Sequence, residues 1–184
     1  DWSEMESHLR RIGDLPAHLE LWQGDEAFLQ SFSGSFLLGA LAQIAEDEML
    51  AEQRLRHCLA LKPDFQPGRV ELIELLLAQE KFAEVLEWIG KNRAGTNHAP
   101  SVESEVATVA LESLPSIENL DEPVMIWYAA RACLGLGFYE NAQAYFRKII
   151  SSSYEDVRIY LGLGEALYQQ QAFAQAEKIL LKVL

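Results

Sequence analysis

The sequence predicts an all-α fold, a right-handed α-solenoid of stacked antiparallel helix pairs with one inserted helix. The first observation is a spacing of 34 residues between Ala142 and Ala176, which lie in segments that align with each other. The second is the same spacing between Ala51 and Val85, earlier in the chain. A period of this length is typical of a helix–turn–helix unit that cannot bury its apolar face alone and therefore stacks on copies of itself.

Four units follow when these residues are taken as position 20, and they begin near Phe32, Gln66, Pro123 and Val157. Small or apolar residues recur at positions 7, 8 and 11, whose offsets of three and four place them on one face of a first helix. Position 8 reads Gly39, Ile73, Ala130 and Gly164. Position 24 belongs to the second helix of each unit and reads Leu55, Ile89, Phe146 and Leu180. We expect these two positions to pack against each other.

The second and third units are separated by about 23 residues beyond the period, which predicts an insertion at 100–122. Apolar residues at helical spacing from Val102 to Leu114, followed by Pro115, predict that this insertion is a helix and a linker. Such a helix would either turn the stack or lie against its groove, and both alternatives stay open.

The remaining segments complete the predicted organisation. Residues 1–31 predict two N-terminal helices that form a worn repeat or a cap. Residues 32–99 hold two units and 123–184 hold two more, the last of them truncated. Because arrays of this kind usually end in a covered helix, the open last helix predicts either a piece of a longer protein or a surface that docks on a second chain.

This pattern resembles the tetratricopeptide repeat over residues 32–184. The best match is the last unit, through Tyr160, Leu163, Gly164, Phe173 and Ala176, and the first unit matches through Leu38, Gly39, Ala51 and Pro63. The second unit departs from the pattern, with Ile73 in place of a small residue. The resemblance implies a right-handed superhelix whose inner wall is formed by the first helix of each unit.

Composition excludes some partners. The chain has 28 acidic and 15 basic residues and a net charge of −13, which disfavours binding to nucleic acid or to an anionic membrane. No apolar run is long enough for membrane insertion. Cys58 and Cys133 fall at core positions and are expected to be free thiols, which agrees with a cytoplasmic location without requiring it.

No catalytic, cofactor-binding or metal-binding residues are predicted, so we expect a protein that is not an enzyme and has no cofactor. The four histidines show no metal-ligand spacing. The glycine pairs Gly135–Gly137 and Gly162–Gly164 do not follow a strand, as a nucleotide loop would require, and repeat packing explains them.

A partner-binding groove follows from the resemblance, which implies that positions 2, 5, 9 and 12 line the inner wall. The candidate residues are Phe36, Val70, Glu74, Trp127, Arg131, Arg158, Leu161, Glu165 and Tyr168. The family's cluster of Lys, Arg and Asn that binds chain-terminal carboxylates is not supported, because Phe36, Ala40 and Glu71 stand at its positions. The wall is apolar, so we expect a protein or peptide partner with an apolar segment, with Arg131 and Arg158 available for an acidic group. The alternative is that these side chains pack against a neighbouring helix.

Three functions remain open. The leading one is a non-enzymatic scaffold that binds a peptide or helix in the groove. A second is an accessory region of a larger enzyme, such as a glycosyltransferase or sulfotransferase, which repeats of this family often precede. The third is a homo-oligomeric structural module that assembles through the C-terminal helix.

Overall fold

The computed structural model describes residues 26–91, 114–116, 120, 122–152 and 156–183. All regular secondary structure in these ranges is helical. The helices are α1 (Glu26–Leu29), α2 (Phe32–Ile44), α3 (Glu48–Leu61), α4 (Gln66–Ala78), α5 (Phe82–Lys91), α6 (Pro123–Gly135), α7 (Tyr139–Ser151), α8 (Val157–Gln169) and α9 (Phe173–Leu180). None of these described helices is long and apolar enough to cross a bilayer.

The helices form the pairs of an α-solenoid, as the repeat predicts. The first helices, α2, α4, α6 and α8, begin at the four residues from which the units were counted. Helix α2 packs on α3, α6 on α7 and α8 on α9, while α7 also packs on α8. The residues at position 20 are buried in every unit, namely Ala51, Val85, Ala142 and Ala176. The chain divides into two compact units, Asp1–Leu75 and Leu76–Leu184.

Side chains cap the starts of several helices. Ser31 Oγ accepts a hydrogen bond from the Gly34 backbone N–H at 3.0 Å, and Asp47 Oδ1 accepts one from Leu50 at 3.1 Å. Helix α6 begins instead with Pro123, whose missing N–H would have no partner within the first turn. These caps satisfy donors that a helix leaves free at its first turn.

The same turn joins the two helices in all four pairs. Position 15 has a positive φ in each unit, at Glu46 (61°), Glu80 (58°), Gly137 (77°) and Gln171 (61°). In the last pair Gln171 N–H donates to Tyr168 O at 2.9 Å and Ala172 N–H donates to Leu167 O at 2.9 Å. This is the hydrogen-bond pattern of a Schellman motif, which satisfies the last carbonyls of the first helix. Only one of the four units has glycine there, although the left-handed region favours glycine.

Small residues at position 8 let the two helices of a pair approach closely. A Cβ added to Gly39 would lie 2.8 Å from Leu55 Cγ, and one added to Gly164 would lie 2.5 Å from Leu180 Cδ2. Leu55 and Leu180 both occupy position 24. Leu55 is fully buried, whereas Leu180 is 36% exposed.

The segment 92–122 connects two helices, α5 and α6, that pack directly on each other. Its last described residues are held by α7. Tyr145 Oη donates to Pro115 O at 2.5 Å, and Lys148 Nζ donates to Leu120 O at 2.6 Å. The helix predicted from Val102 lies outside the described residues, as do the N-terminal helices predicted within residues 1–25.

Candidate functional site

In the first compact unit, the predicted groove residues offer little apolar surface. Phe36 on α2 is only 8% exposed, because its ring packs edge-on against Phe65 with centroids 4.9 Å apart. Val70 is half-buried and Glu74 is exposed, both on α4. The Phe36 ring is therefore part of the core between helices and presents little area to a partner.

In the second compact unit, helices α6 and α8 pack together and carry the other six residues of the predicted groove. Offsets of three and four residues place Val124, Trp127 and Arg131 on one side of α6. The same offsets place Val157, Leu161, Glu165 and Tyr168 on one side of α8. We call these seven residues, with Arg158, the α6–α8 face.

Apolar side chains are exposed along this face. Exposure is 45% for Val124, 55% for Val157, 48% for Leu161 and 60% for Tyr168. The Tyr168 ring meets Phe173 of α9 edge-on at 5.3 Å, and Phe173 is 56% exposed itself. Val124, Val157 and Phe173 were not among the groove residues predicted from the sequence, although Val157 stands one turn before Leu161 on the same side of the helix.

Arg158 has two neighbours in the structure, the ring of Trp127 and the carboxylate of Asp156. Its guanidinium lies 5.5 Å from the centroid of the Trp127 ring, and its Nη2 donates to Asp156 Oδ2 at 2.6 Å. Hydrogen bonds from the Arg158 side chain, and then from its backbone N–H, lower the pKa of the Asp156 carboxyl. Arg158 therefore lies beside the Trp127 ring and pairs with Asp156, and its side chain is still 69% exposed.

Trp127 is half-buried, and its indole nitrogen is inaccessible. Nε1 is buried and has no hydrogen-bond partner among the residues that the structure describes. Its ring also meets Tyr128 at 5.3 Å. Only part of the Trp127 side chain is therefore available to a partner.

One ion pair crosses between the two helices of the face. Arg131 Nη1 lies 3.8 Å from Glu165 Oε2, and the two side chains are 47% and 54% exposed. Exposed pairs of this kind contribute about 0–1 kcal/mol. Both groups therefore stay accessible to a charged partner that replaces the contact.

The described residues do not form a metal site or an accessible serine–histidine pair. No group of three or more His, Cys, Asp and Glu within them could hold a metal ion. Ser35 Oγ lies 2.7 Å from His57 Nδ1, but Ser35 is fully buried in α2 and no substrate could reach it. Burial raises the pKa of the Cys58 thiol to about 11 and that of Cys133 to about 12, so both thiols stay protonated and unreactive at neutral pH.

Comparisons with known proteins agree with this architecture. The tetratricopeptide repeat family model matches residues 134–184. The fold is similar to the solved structure of MamA, residues 41 to the end, from Desulfovibrio magneticus RS-1, with a TM-score of 0.69 and 13% sequence identity. That likeness covers 99% of this chain and 90% of the MamA chain. No curated protein matches the sequence.

These findings confirm the resemblance to the tetratricopeptide repeat in the last third of the chain and the α-solenoid fold as a whole. Repeats of this kind stack into extended surfaces that bind other proteins. For this chain the comparisons show the fold, and a role, a partner and a binding mode are matters for proposal.

Proposed function

We propose that the chain is a non-enzymatic scaffold that binds an apolar peptide or helical segment of a partner protein along the α6–α8 face. The observation that carries this is the row of exposed apolar side chains on two neighbouring first helices. Val124, Val157, Leu161 and Tyr168 are each about half exposed or more. Large apolar side chains that cluster on a surface mark interaction sites, whereas scattered ones do not.

The charged residues of the α6–α8 face fit a partner segment that carries both apolar and polar side chains. Arg131 and Glu165 are exposed between the apolar residues and oppose each other at 3.8 Å. A partner segment with apolar side chains at helical spacing would cover Leu161 and Tyr168, and its polar side chains would meet this pair. Helix-in-groove recognition follows this pattern, with anchors at i, i+3, i+4 and i+7.

Selection from a phage library of random 15-residue peptides would test the proposal, with the full chain as target. Selected peptides are expected to be apolar and to lose most of their affinity for Leu161→Glu and Tyr168→Glu, because a charge would be buried at the contact. The matched control is Met49→Glu on α3, where the native side chain is 82% exposed and lies outside the face. If the selected peptides bind the Leu161→Glu variant and the unsubstituted protein with equal affinity, the site lies elsewhere and the proposal is wrong.

Self-association is a second candidate, favoured by the end of the last helix pair. Leu180, the last residue of α9, is 36% exposed, and Leu181, which follows it, is 61% exposed. Light scattering at micromolar concentration would decide, since a homo-oligomer held by these residues should dissociate in Leu181→Glu. A monomer in the unsubstituted protein would remove this candidate and leave the scaffold proposal intact.

A further inference from the structure

We infer that a second binding site exists, for a short acidic peptide segment with a central apolar side chain, in a cleft between α7 and α9. The cleft has a volume of about 350 Å³, within the roughly 300–1,000 Å³ typical of ligand sites. Its floor is apolar, from Leu163 and Leu167 of α8 and Ile179 of α9. We call it the α7–α9 cleft.

Cations stand on both rims of this cleft. Arg147 of α7 lies on one side, and Lys178 of α9 and Lys182, which follows the end of α9, lie on the other. No described carboxylate lines the cleft, and Glu177, exposed on α9, is not among the lining residues. The concentration of three cations is unusual in a chain with 15 basic and 28 acidic residues.

These cations have no anionic partner in the described part of the chain. Arg147 Nη2 donates to the neutral amide oxygen of Gln143 at 3.4 Å, which leaves its charge uncompensated. Neither Lys178 nor Lys182 pairs with a described carboxylate. Uncompensated charge of one sign around a cleft attracts ligands of the opposite sign and raises their local concentration.

The arrangement on two rims selects the class of ligand. A ligand with a single carboxylate, such as a fatty acid, could pair with only one rim. A peptide with acidic residues on both sides of a leucine can place the leucine over Leu163 and Leu167 and a carboxylate on each rim. Charge complementarity and an apolar floor together therefore favour an acidic peptide segment.

This site is separate from the α6–α8 face. The cleft is floored by Leu163 and Leu167, whereas the face uses Leu161, Glu165 and Tyr168 on the same helix. The pattern reflects helical periodicity, because residues two apart do not share a side of a helix. Failure of either proposal would leave the other standing.

The test uses fluorescein-labelled peptides and the full chain, with binding read as fluorescence anisotropy. The probe has a leucine flanked on each side by two glutamates. One comparison peptide replaces all the glutamates by glutamine, and another replaces the leucine by glycine. Only the first peptide is expected to bind well, and its affinity should fall as salt is added, because exposed charges are screened.

The diagnostic variant is Lys178→Gln/Lys182→Gln, and Arg56→Gln/Lys62→Gln is the control with the same change of net charge at α3. Loss of two exposed ion pairs should weaken binding roughly three- to thirtyfold in the first variant only. Circular dichroism would check that both variants stay folded.

Four outcomes would overturn the inference. They are no binding of the acidic leucine peptide, equal binding of the glutamine peptide, equal weakening by the control variant, and full affinity in Lys178→Gln/Lys182→Gln. Displacement of the peptide by decanoate at a lower concentration than unlabelled peptide would also overturn it, because the cleft would then take an acyl carboxylate.

Discussion

Replacing Gln171 by glycine should stabilise the protein, even though glycine usually destabilises helical structure. Gln171 has a φ of 61°, and an L-residue with a side chain pays roughly 1–2 kcal/mol in the left-handed region. Glycine avoids that cost but has greater freedom in the unfolded chain, which offsets roughly 0.5–1 kcal/mol. The net gain is about 0.5–1 kcal/mol, or roughly 1–4 °C in Tm for a chain of this size.

Urea unfolding followed by far-ultraviolet circular dichroism measures the effect. Gln171 is a cleaner site than Glu46 or Glu80, because glycine there changes no charge near the negative end of a helix. The reciprocal change Gly137→Gln should lose a similar free energy of unfolding, since Gly137 has a φ of 77° in the equivalent turn. Ala174→Gly, in the exposed part of α9, should lose about 1 kcal/mol. If Gln171→Gly lost stability as Ala174→Gly does, the backbone argument would be refuted.

Three other substitutions test the packing and the polar contacts, each by urea unfolding. Gly39→Ala should lower the free energy of unfolding by about 1 kcal/mol, because the new Cβ would lie 2.8 Å from Leu55 Cγ. The cost of overpacking exceeds what the higher helix propensity of alanine contributes. A gain in stability would contradict this. Ser35→Ala should lower the free energy of unfolding by about 1–2 kcal/mol, because His57 Nδ1 would lose its 2.7 Å contact with Ser35 Oγ. A double-mutant cycle with His57→Ala should give a coupling free energy well above zero. Tyr145→Phe should lower the free energy of unfolding by about 1 kcal/mol, because it removes the hydrogen bond to Pro115 O. It should also speed proteolysis of the segment between α5 and α6. An unchanged rate of cleavage would show that this contact does not hold the segment.

The 34-residue period of the sequence was sufficient to predict the fold, because the residues that repeat are those at which paired helices pack against each other. Alanine or valine at position 20, and a small residue at position 8 in three of the four units, recur where two helices approach, and the structure buries them there. The helix starts at Phe32 and Val157 follow from the same counting. The repeated turn was harder to see, since glutamate or glutamine stands where a glycine would have signalled positive φ.

The candidate site was predictable only in part. Equivalent positions in different units met different neighbours, and sequence period carries no information about those neighbours. Phe36 and Trp127 share position 5, but Phe65 covers the first, whereas Arg158 lies over the second. The engagement of Arg158 by Asp156, two residues earlier, is a local contact that period alone does not reveal.

The direct packing of α5 on α6 means that residues 92–122 are not needed to bring these two helices together. Elsewhere in the chain, residues 62–65 are sufficient to connect one pair to the next. Residues 92–122 connect two helices that already touch, so their length is not required by the connection. Evolution could therefore lengthen, shorten or exchange this segment while the neighbouring helices kept their contacts.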